Sequence, residues 1–389
     1  MHPHPSHEAI EIAEAILFPL AIPLAEPIRM SSETITHAST VLLKLTDQSG
    51  RVGWGETSAA PQMTGETVES LLDDLDHLLS QTKHVRWLSH KQIAPEQSRR
   101  ARARPSARAC QETALLDLIS QHLGLPVWRL LTQGQAQPGA LPVLRMVSGR
   151  TDEEEARDIR AHRDKGIFHW KIKVGLGEVK EDIRRVTYIM SVATDCLVSA
   201  DANGAWSLAE SLTFCKGVEG SGLAFVEQAL APNADLSDWT ALRSQTTLPI
   251  GLDESVANRA DLERFFKAQA MDGASLKLIK LGGIVEGVEA LRFLNQSRLG
   301  ANLACKVAET SLSAAATASI GFAGGGANWG LSLSNQYLCE DICAHPLAAR
   351  NGVFHADQLG AVGIGIIPDE DRVRSLVSTS HSIRAYSRS

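Results

Sequence analysis

A closed parallel β/α barrel of the TIM type, carrying a smaller α+β domain on its N-terminal side, is the fold class predicted for this chain, and three observations predict it. From about Leu141 onward, short apolar runs alternate with amphipathic stretches at a spacing of roughly 25 residues, the length of one strand and helix unit. There are about eight such runs, the number that closes a barrel. No G-x-G-x-x-G turn follows any of them, as an open nucleotide-binding sheet would require. A chain of 389 residues can bury a large core and a second, smaller one beside it.

The first third has a different texture. The apolar run 41–45 ends at the turn signal Asp47-Gln48-Ser49-Gly50, and Arg51-Val52-Gly53-Trp54-Gly55-Glu56 follows, which predicts an antiparallel hairpin. Residues 66–79 and 107–123 place apolar side chains at helical spacing, and Gly124 before Pro126 stops the second helix. Barrel strands are expected at 142–147, 169–174, 196–200, 223–227, 249–253, 275–278, 302–307 and 328–333. After Ala348 the alternation is lost, and the tail is expected to pack back on the N-terminal region. The expected divisions are 8–135 for the α+β domain, 140–348 for the barrel and 349–389 for the returning tail.

A formal charge of -7 and a pI near 6.0 give no general attraction to nucleic acid or to an anionic membrane. Arg99, Arg100, Arg102, Arg104 and Arg108 lack interleaved aromatics and read as a solvated face. Six cysteines in a chain this long do not form a disulfide framework, which points to a reducing compartment. Cys339, Cys343 and His345 lack a fourth metal ligand and read as incidental. The apolar stretch 15–25 is short, is broken by Pro19 and Pro23 and has no lysine or arginine before it. Neither a secretory signal nor a membrane span is expected, and the expected location is cytoplasmic. A symmetric homo-oligomer is the expected assembly.

The chemistry begins with Lys171 and Lys173 in His169-Trp170-Lys171-Ile172-Lys173-Val174-Gly175. On a strand both ammonium groups project to one face, and two like charges side by side in a low-dielectric interior are costly without an anionic partner. Three successive strands then end in acids: Asp201 after Val198-Ser199-Ala200, Glu227 after Phe225-Val226, and Asp253 after Ile250-Gly251-Leu252. Each alone could cap a helix. Three in register repel one another unless a cation sits among them, and hard oxygen ligands point to Mg²⁺, with Mn²⁺ as the second choice. The next strand adds Lys277 in Ala274-Ser275-Leu276-Lys277, so lysines flank the acidic strands on both sides. A small-molecule carboxylate on the cation would then have its α-carbon between two amines. One would remove the α-proton to form an enediolate, and the other would return a proton.

Lys171-Ile172-Lys173, Asp201 with Asn203, Glu227, Asp253-Glu254-Ser255 and Lys277 form a set that resembles the enolase superfamily. Gly53-Trp54-Gly55-Glu56, Thr64-Gly65-Glu66-Thr67 and Ala109-Cys110-Gln111-Glu112-Thr113-Ala114-Leu115-Leu116-Asp117-Leu118 are similar to its capping domain. The resemblance covers nearly the whole chain. Its nearest form is the muconate lactonizing enzyme (muconate cycloisomerase) subgroup of the mandelate racemase/muconate lactonizing enzyme family. The resemblance implies a modified TIM-type (β/α)7β barrel whose N-terminal α+β capping domain is completed by the C-terminal tail. It also implies that Asp201, Glu227 and Asp253 bind Mg²⁺ and that Lys173 and Lys277 are the acid/base pair. Lys171 would contact the substrate carboxylate and lower the pKa of Lys173 by like-charge repulsion.

Where the mandelate racemase subgroup carries a histidine, at the seventh strand, this chain has Lys306-Val307-Ala308-Glu309-Thr310-Ser311. Glu309 matches a glutamate of the lactonizing subgroup and is either a substrate contact or a supporting cap. Asn203, Glu309, Arg29 and Trp329 are the candidate substrate-binding residues, Arg29 for a second carboxylate and Trp329 for stacking on a cation or an apolar group. The same lysines serve cycloisomerisation, racemisation or epimerisation of an N-substituted amino acid or dipeptide, and dehydration of a hydroxy acid. Ile279-Lys280-Leu281-Gly282-Gly283 is similar to dipeptide epimerases. Their Asp-x-Asp pair for an α-ammonium at the eighth strand is missing, however, and Asn328-Trp329-Gly330-Leu331-Ser332 stands in that area. The expected function is a Mg²⁺-dependent isomerase of a small carboxylate, with a dehydratase and a non-catalytic barrel as alternatives. Specificity is expected in 26–34 and 57–64, which by resemblance close over the barrel mouth.

Overall fold

The computed structural model describes residues 9–29, 34–100, 103–132, 139–147 and 151–387, without the side chains of residues 29 and 100. The chain opens with an antiparallel meander of β1 (Ile12–Arg29), β2 (Thr34–Asp47) and β3 (Val52–Ser58). The expected hairpin is β2 and β3. Asp47 Oδ1 accepts the backbone N–H groups of Ser49 and Arg51, each at 2.9 Å, so its side chain shapes the turn. The long strand β1 is a feature that the reading of 15–25 did not assign. A proline lacks the N–H that a central strand needs, but the C-terminal strand of the chain pairs only with Glu14, Ala15, Ile16 and Leu17. Pro19 and Pro23 lie beyond that pairing, where this edge of β1 makes isolated bridges, Leu20 with Val377 and Leu24 with Leu338, in which the two prolines only accept: their carbonyls take the N–H groups of Ser378 and Cys339.

Helices α1 (Val68–Thr82), α2 (Ile93–Arg100), α3 (Pro105–Leu123) and the single turn α4 (Val127–Leu130) follow. Helix α3 is buried on all sides for most of its length, because the meander covers one face and the barrel the other. Its approach to β3 is so close that a Cβ at Gly55 would lie 1.9 Å from the Cys110 carbonyl oxygen. Its buried acids bind backbone rather than solvent. Asp117 accepts from the N–H groups of Trp54 and Ile364 at 3.0 and 2.9 Å, and Glu112 accepts from Val285 at 2.9 Å.

The second unit starts with a short β4 (Ala140–Pro142) and continues into eight parallel strands. These are β5 (Leu144–Val147), β6 (His169–Lys173), β7 (Leu197–Asp201), β8 (Phe225–Glu227), β9 (Ile250–Leu252), β10 (Gly273–Leu276), β11 (Gly300–Ala304) and β12 (Gly330–Ser332). They neighbour one another in chain order, and a bridge between Val143 and Leu331 brings the ends together into a nearly closed barrel. The connections carry α5 (Asp152–Arg163), α6 (Val179–Val192), α7 (Leu208–Gly217), α8 (Leu236–Ser244), α9 (Arg259–Lys267), the turn α10 (Leu278–Leu281) with α11 (Ile284–Gln296), and α12 (Ser311–Gly324). Seven helical connections between eight strands make this the (β/α)7β form of the barrel.

The barrel floor is closed by an indole. Trp329, just before β12, stacks on Phe225 with ring centroids 3.7 Å apart and planes at 8°. A Cβ at Gly300 would sit 1.9 Å from the Trp329 ring, so the first residue of β11 must be glycine for the ring to fit.

The tail divides its contacts. Strand β13 (Val353–His355) pairs antiparallel with β4 on the barrel side. Ile364 then docks on Asp117, and past α13 (Glu370–Ser375) the last strand β14 (Arg384–Ser387) adds to the edge of β1. Among the described residues, no helix is long and apolar enough to cross a membrane.

Candidate active site

Strand register puts the chemistry on one rim. Lys173 pairs with Asp201, and Asp201 with Glu227, each the last residue of its strand. Asp253 and Lys277 directly follow β9 and β10. Side chains of these residues and of Lys171 gather at the C-terminal end of the barrel, all at most 8% exposed. Backbone strain marks the same rim. Asn203 and Gln228 take φ values of +46° and +42°, two residues after Asp201 and one after Glu227. The Gln228 side chain compensates by accepting from the N–H groups of Asp253 and Ser255 at 2.8 and 3.1 Å, so it fixes the turn that aims Asp253.

Each carboxylate is gripped by lysine. Lys171 Nζ lies 2.8 Å from Glu227 Oε1 and 2.6 Å from Oε2, though only the first contact has hydrogen-bond geometry. Lys173 Nζ donates to Asp201 Oδ2 at 2.5 Å and to Asn203 Oδ1 at 2.7 Å. Lys277 Nζ donates to Asp253 Oδ2 at 2.5 Å, and Lys280 Nζ to Oδ1 of the same carboxylate at 2.7 Å. Asn203 also donates to Glu254 Oε1 at 3.0 Å, which ties the second acid of Asp253-Glu254 to the site.

These pairs set the charge states. Burial works against ionised Asp253, but Lys277, Lys280 and Lys171 outweigh it and hold its pKa far below the usual carboxylate range. Burial likewise works against the Lys171 and Lys277 ammonium groups, and the carboxylates win, raising both. Their nearest neighbours are anions, and each such contact favours the charged amine. Burial does push Lys280 down. Glu227 is pushed up to about 7 by burial, with Asp201 and Asp253 adding repulsion.

A hard divalent cation suits these residues. Three buried carboxylates end adjacent strands, Glu227 Oε2 has no hydrogen-bond partner, and the mutual repulsion of the acids is what such a cation would relieve. Among the described residues no three acidic, histidine or cysteine side chains are drawn together as a finished ligand cluster. The lysines hold the carboxylates instead.

Residues 154–372 match the enolase C-terminal domain-like family, and residues 12–132 match the mandelate racemase / muconate lactonizing enzyme N-terminal domain. The chain belongs to the mandelate racemase/muconate lactonizing enzyme family. A hydrophobic dipeptide epimerase of Citrifermentans bemidjiense is 30% identical over 374 residues, covering 92% of this chain and 98% of that protein. An N-succinyl-L-Arg/Lys racemase of Bacillus cereus is 26% identical over 301 residues, covering 77% of this chain and 79% of that protein. A dipeptide epimerase from Cytophaga hutchinsonii, solved with Mg and the dipeptide D-Ala-L-Val, superposes with a TM-score of 0.85. It is 22% identical, with 96% of this chain and 99% of that one covered. The protein is thus an isomerase of the enolase superfamily.

In this family member a cavity of about 210 Å³ opens above the rim. Lys171, Lys173, Asp201, Asn203, Asp253, Glu254 and Lys277 line it, and Ile35 and Met63 from the N-terminal unit form part of its roof. Met63 Sδ lies 4.0 Å from Lys277 Nζ. Of the three candidate substrate contacts with described side chains, Asn203, Glu309 and Trp329, only Asn203 is in the lining. Trp329 is corrected: β12 begins at Gly330, so the indole sits at the N-terminal end of the barrel, opposite the site. The end of the eighth strand instead presents Ser332, Leu333 and Ser334. The side chain of Arg29 lies outside the described residues, as do residues 30–33.

Glu309 also lies outside the lining and faces the capping unit. Its Oε2 accepts from the Lys306 N–H at 2.9 Å, and Oε1 has no hydrogen-bond partner. Beside it, Glu56 of β3 crosses to the barrel and accepts from the N–H groups of Thr310 and Ser313 at 3.0 and 2.9 Å, capping the start of α12. Burial and the Glu56 charge push Glu309 from 4.5 up to about 8. The folded state therefore binds this proton more tightly than the unfolded chain, and its stabilising effect is complete below about pH 4.5 and lost as pH rises through about 8. Glu309→Gln, with the same shape and no charge, is expected to gain stability relative to wild type by up to about 1.4 kcal/mol per pH unit across that window. Melting temperatures at pH 5 and pH 8 measure this, and a gap that does not widen with pH refutes the assignment.

The sequence reading gave no role to Lys280 or Gln228, and Glu254 entered it only within the run Asp253-Glu254-Ser255. The signal for Lys280 was its spacing of three from Lys277, which on one helical turn brings both amines to the same carboxylate.

Proposed function

We propose that this isomerase uses Mg²⁺, with Mn²⁺ able to substitute, held by Asp201, Glu227 and Asp253, to invert the α-carbon of an N-acylated amino acid. The observation that carries the reading is the placement of Lys173 and Lys277 on the second and sixth of eight strands, on opposite sides of the mouth, with the carboxylates on the strands between. When bound, the cation would supply electrophilic stabilisation to the enediolate oxygens. Lys171 would pair with the substrate carboxylate. Lys173, as the free amine, would take the α-proton from one face, and the Lys277 ammonium would deliver a proton to the other; the opposite enantiomer would react with the roles exchanged. Asn203, hydrogen-bonded to Lys173 and Glu254, orients the first amine.

An acylated rather than a free amine is supported by the end of the eighth strand, where the Ser332 hydroxyl lines the cavity and, among the described residues, no carboxylate of that strand does. A neutral amide can share hydrogen bonds with hydroxyls, whereas a buried ammonium calls for carboxylates. Proton NMR in D₂O with N-acyl amino acids, free dipeptides, proline betaines and muconates tests the reading. Solvent deuterium entering the α-position of N-acyl amino acids with loss of optical rotation is the expected result. A lactone formed from muconate, or loss of water from a hydroxy acid, with no exchange of any N-acyl amino acid would overturn it.

A further inference from the structure

We infer that Lys280 is a positioning residue for proton transfer at Lys277: it keeps hold of the Asp253 carboxylate, so that Lys277 can leave that carboxylate and serve the α-carbon. The inference deepens the reading of the site as an N-acyl amino acid isomerase and rests on it. Asp253 gives one carboxylate oxygen to each lysine. Lys277 Nζ donates to Oδ2 at 2.5 Å, and Lys280 Nζ donates to Oδ1 at 2.7 Å. Only Lys277 lines the cavity. The side chain of Lys280 is 4% exposed and lies outside the lining, so it touches no ligand there and acts through Asp253.

Lys280 Nζ also donates to the backbone carbonyl of Asp253. Bonded to the main chain and the side chain of one residue, it fixes the carboxylate in one orientation at its strand end. The turn that carries it is itself clamped by the N-terminal unit. Ser106 Oγ of α3 donates to the Ile279 carbonyl at 3.2 Å, and α10 ends at Gly282 and Gly283, with φ values of +85° and +155°. A Cβ at Gly283 would lie 2.3 Å from Glu112 Oε1, the oxygen that accepts from the Val285 N–H, so α3 packs directly on the end of the turn. Lys277 is held more loosely, since the Met63 thioether above it is a weak acceptor. A buried carboxylate stripped of its partners is strongly destabilising, so Lys277 can swing to a substrate only if another ammonium stays on Asp253. Lys280 is that ammonium.

Lys280→Met keeps most of the side-chain length and removes the donor, which leaves Lys277 as the amine that must stay on Asp253. Both enantiomers of N-acetyl-leucine and N-succinyl-leucine, followed by NMR in D₂O with the Mg²⁺-loaded protein, separate the two faces of the α-carbon. Inversion is expected to fall about tenfold in kcat with KM little changed. For the enantiomer whose proton Lys173 removes, exchange of the α-hydrogen is expected to move by less than about threefold, whereas exchange of the other enantiomer falls about tenfold. Lys280→Gln, which retains a neutral donor, is expected to show the same skew more weakly. An equal fall of all these rates, the mark of general damage to the site, overturns the inference, and so does no fall at all. Melting temperatures give a readout apart from turnover: Lys280→Met is expected to lower that of the wild type but not that of Asp253→Asn, and equal losses in both backgrounds would also overturn it. The melting pattern without exchange of either compound by the wild type would support the hold of Lys280 on Asp253 while refuting the proposed reaction.

Discussion

Lys277→Ala is expected to lower racemisation by about a thousandfold, and Lys173→Ala by a similar factor, because in the proposed reaction each removes the acid/base that serves one face of the α-carbon. The two losses should differ in kind. With Lys277 gone, Lys173 can still remove the α-proton on its own face and return a solvent deuteron to that face. One enantiomer would then exchange its α-hydrogen with retention while the other stays inert, and Lys173→Ala should reverse the preference. Following both enantiomers by NMR in D₂O checks this. Two variants that both continue to racemise would show that the lysines do not flank the α-carbon. Circular dichroism of each variant guards against loss of fold as the cause.

Asp253→Ala is expected to have the largest effect on the fold itself. Lys277 and Lys280 both donate to this one carboxylate, and removing it leaves two buried ammonium groups facing each other without their anion. Breaking one buried pair in this way costs about 3–5 kcal/mol, and here two are broken together. The pH dependence has a definite sign. Because the folded pKa of Asp253 is depressed below its ordinary 3.8, its contribution is present above that value and is lost as pH falls through the depressed one. The stability gap between wild type and variant should be widest near neutrality and should close below about pH 4 in denaturant titrations. A gap that persists unchanged into strong acid would mean that Asp253 acts by packing rather than charge.

The barrel and its rim were legible because their signals are local. One strand and helix unit repeats at a nearly fixed length, and an acid or lysine at the end of an apolar run names both its strand and its end of the barrel. Elements that depend on distant partners were not. Nothing near Pro19 tells that β14, more than three hundred residues away in sequence, stops pairing before that proline is reached. For Trp329 the difficulty was a boundary. The eighth strand was read as starting at 328, but it starts at Gly330, and this small difference moves the indole from the mouth to the floor. Lys280 was obscured in the same way: the strand was read to 278, whereas it ends at Leu276 and a helical turn follows. Glu309 was read as either a substrate contact or a supporting cap, and its pairing with Glu56 was not legible, since that buried neighbour lies 253 residues earlier in the chain.

That contact has a bearing on how the molecule can be rebuilt. Since the carboxylate of Glu56 caps a barrel helix from the other unit, the loop between β11 and α12 is anchored by a residue on the opposite side of the seam. Chimaeras that exchange the N-terminal unit between relatives would have to carry a matching acid across with it. Swaps made at the seam without that acid would leave the first turn of α12 frayed.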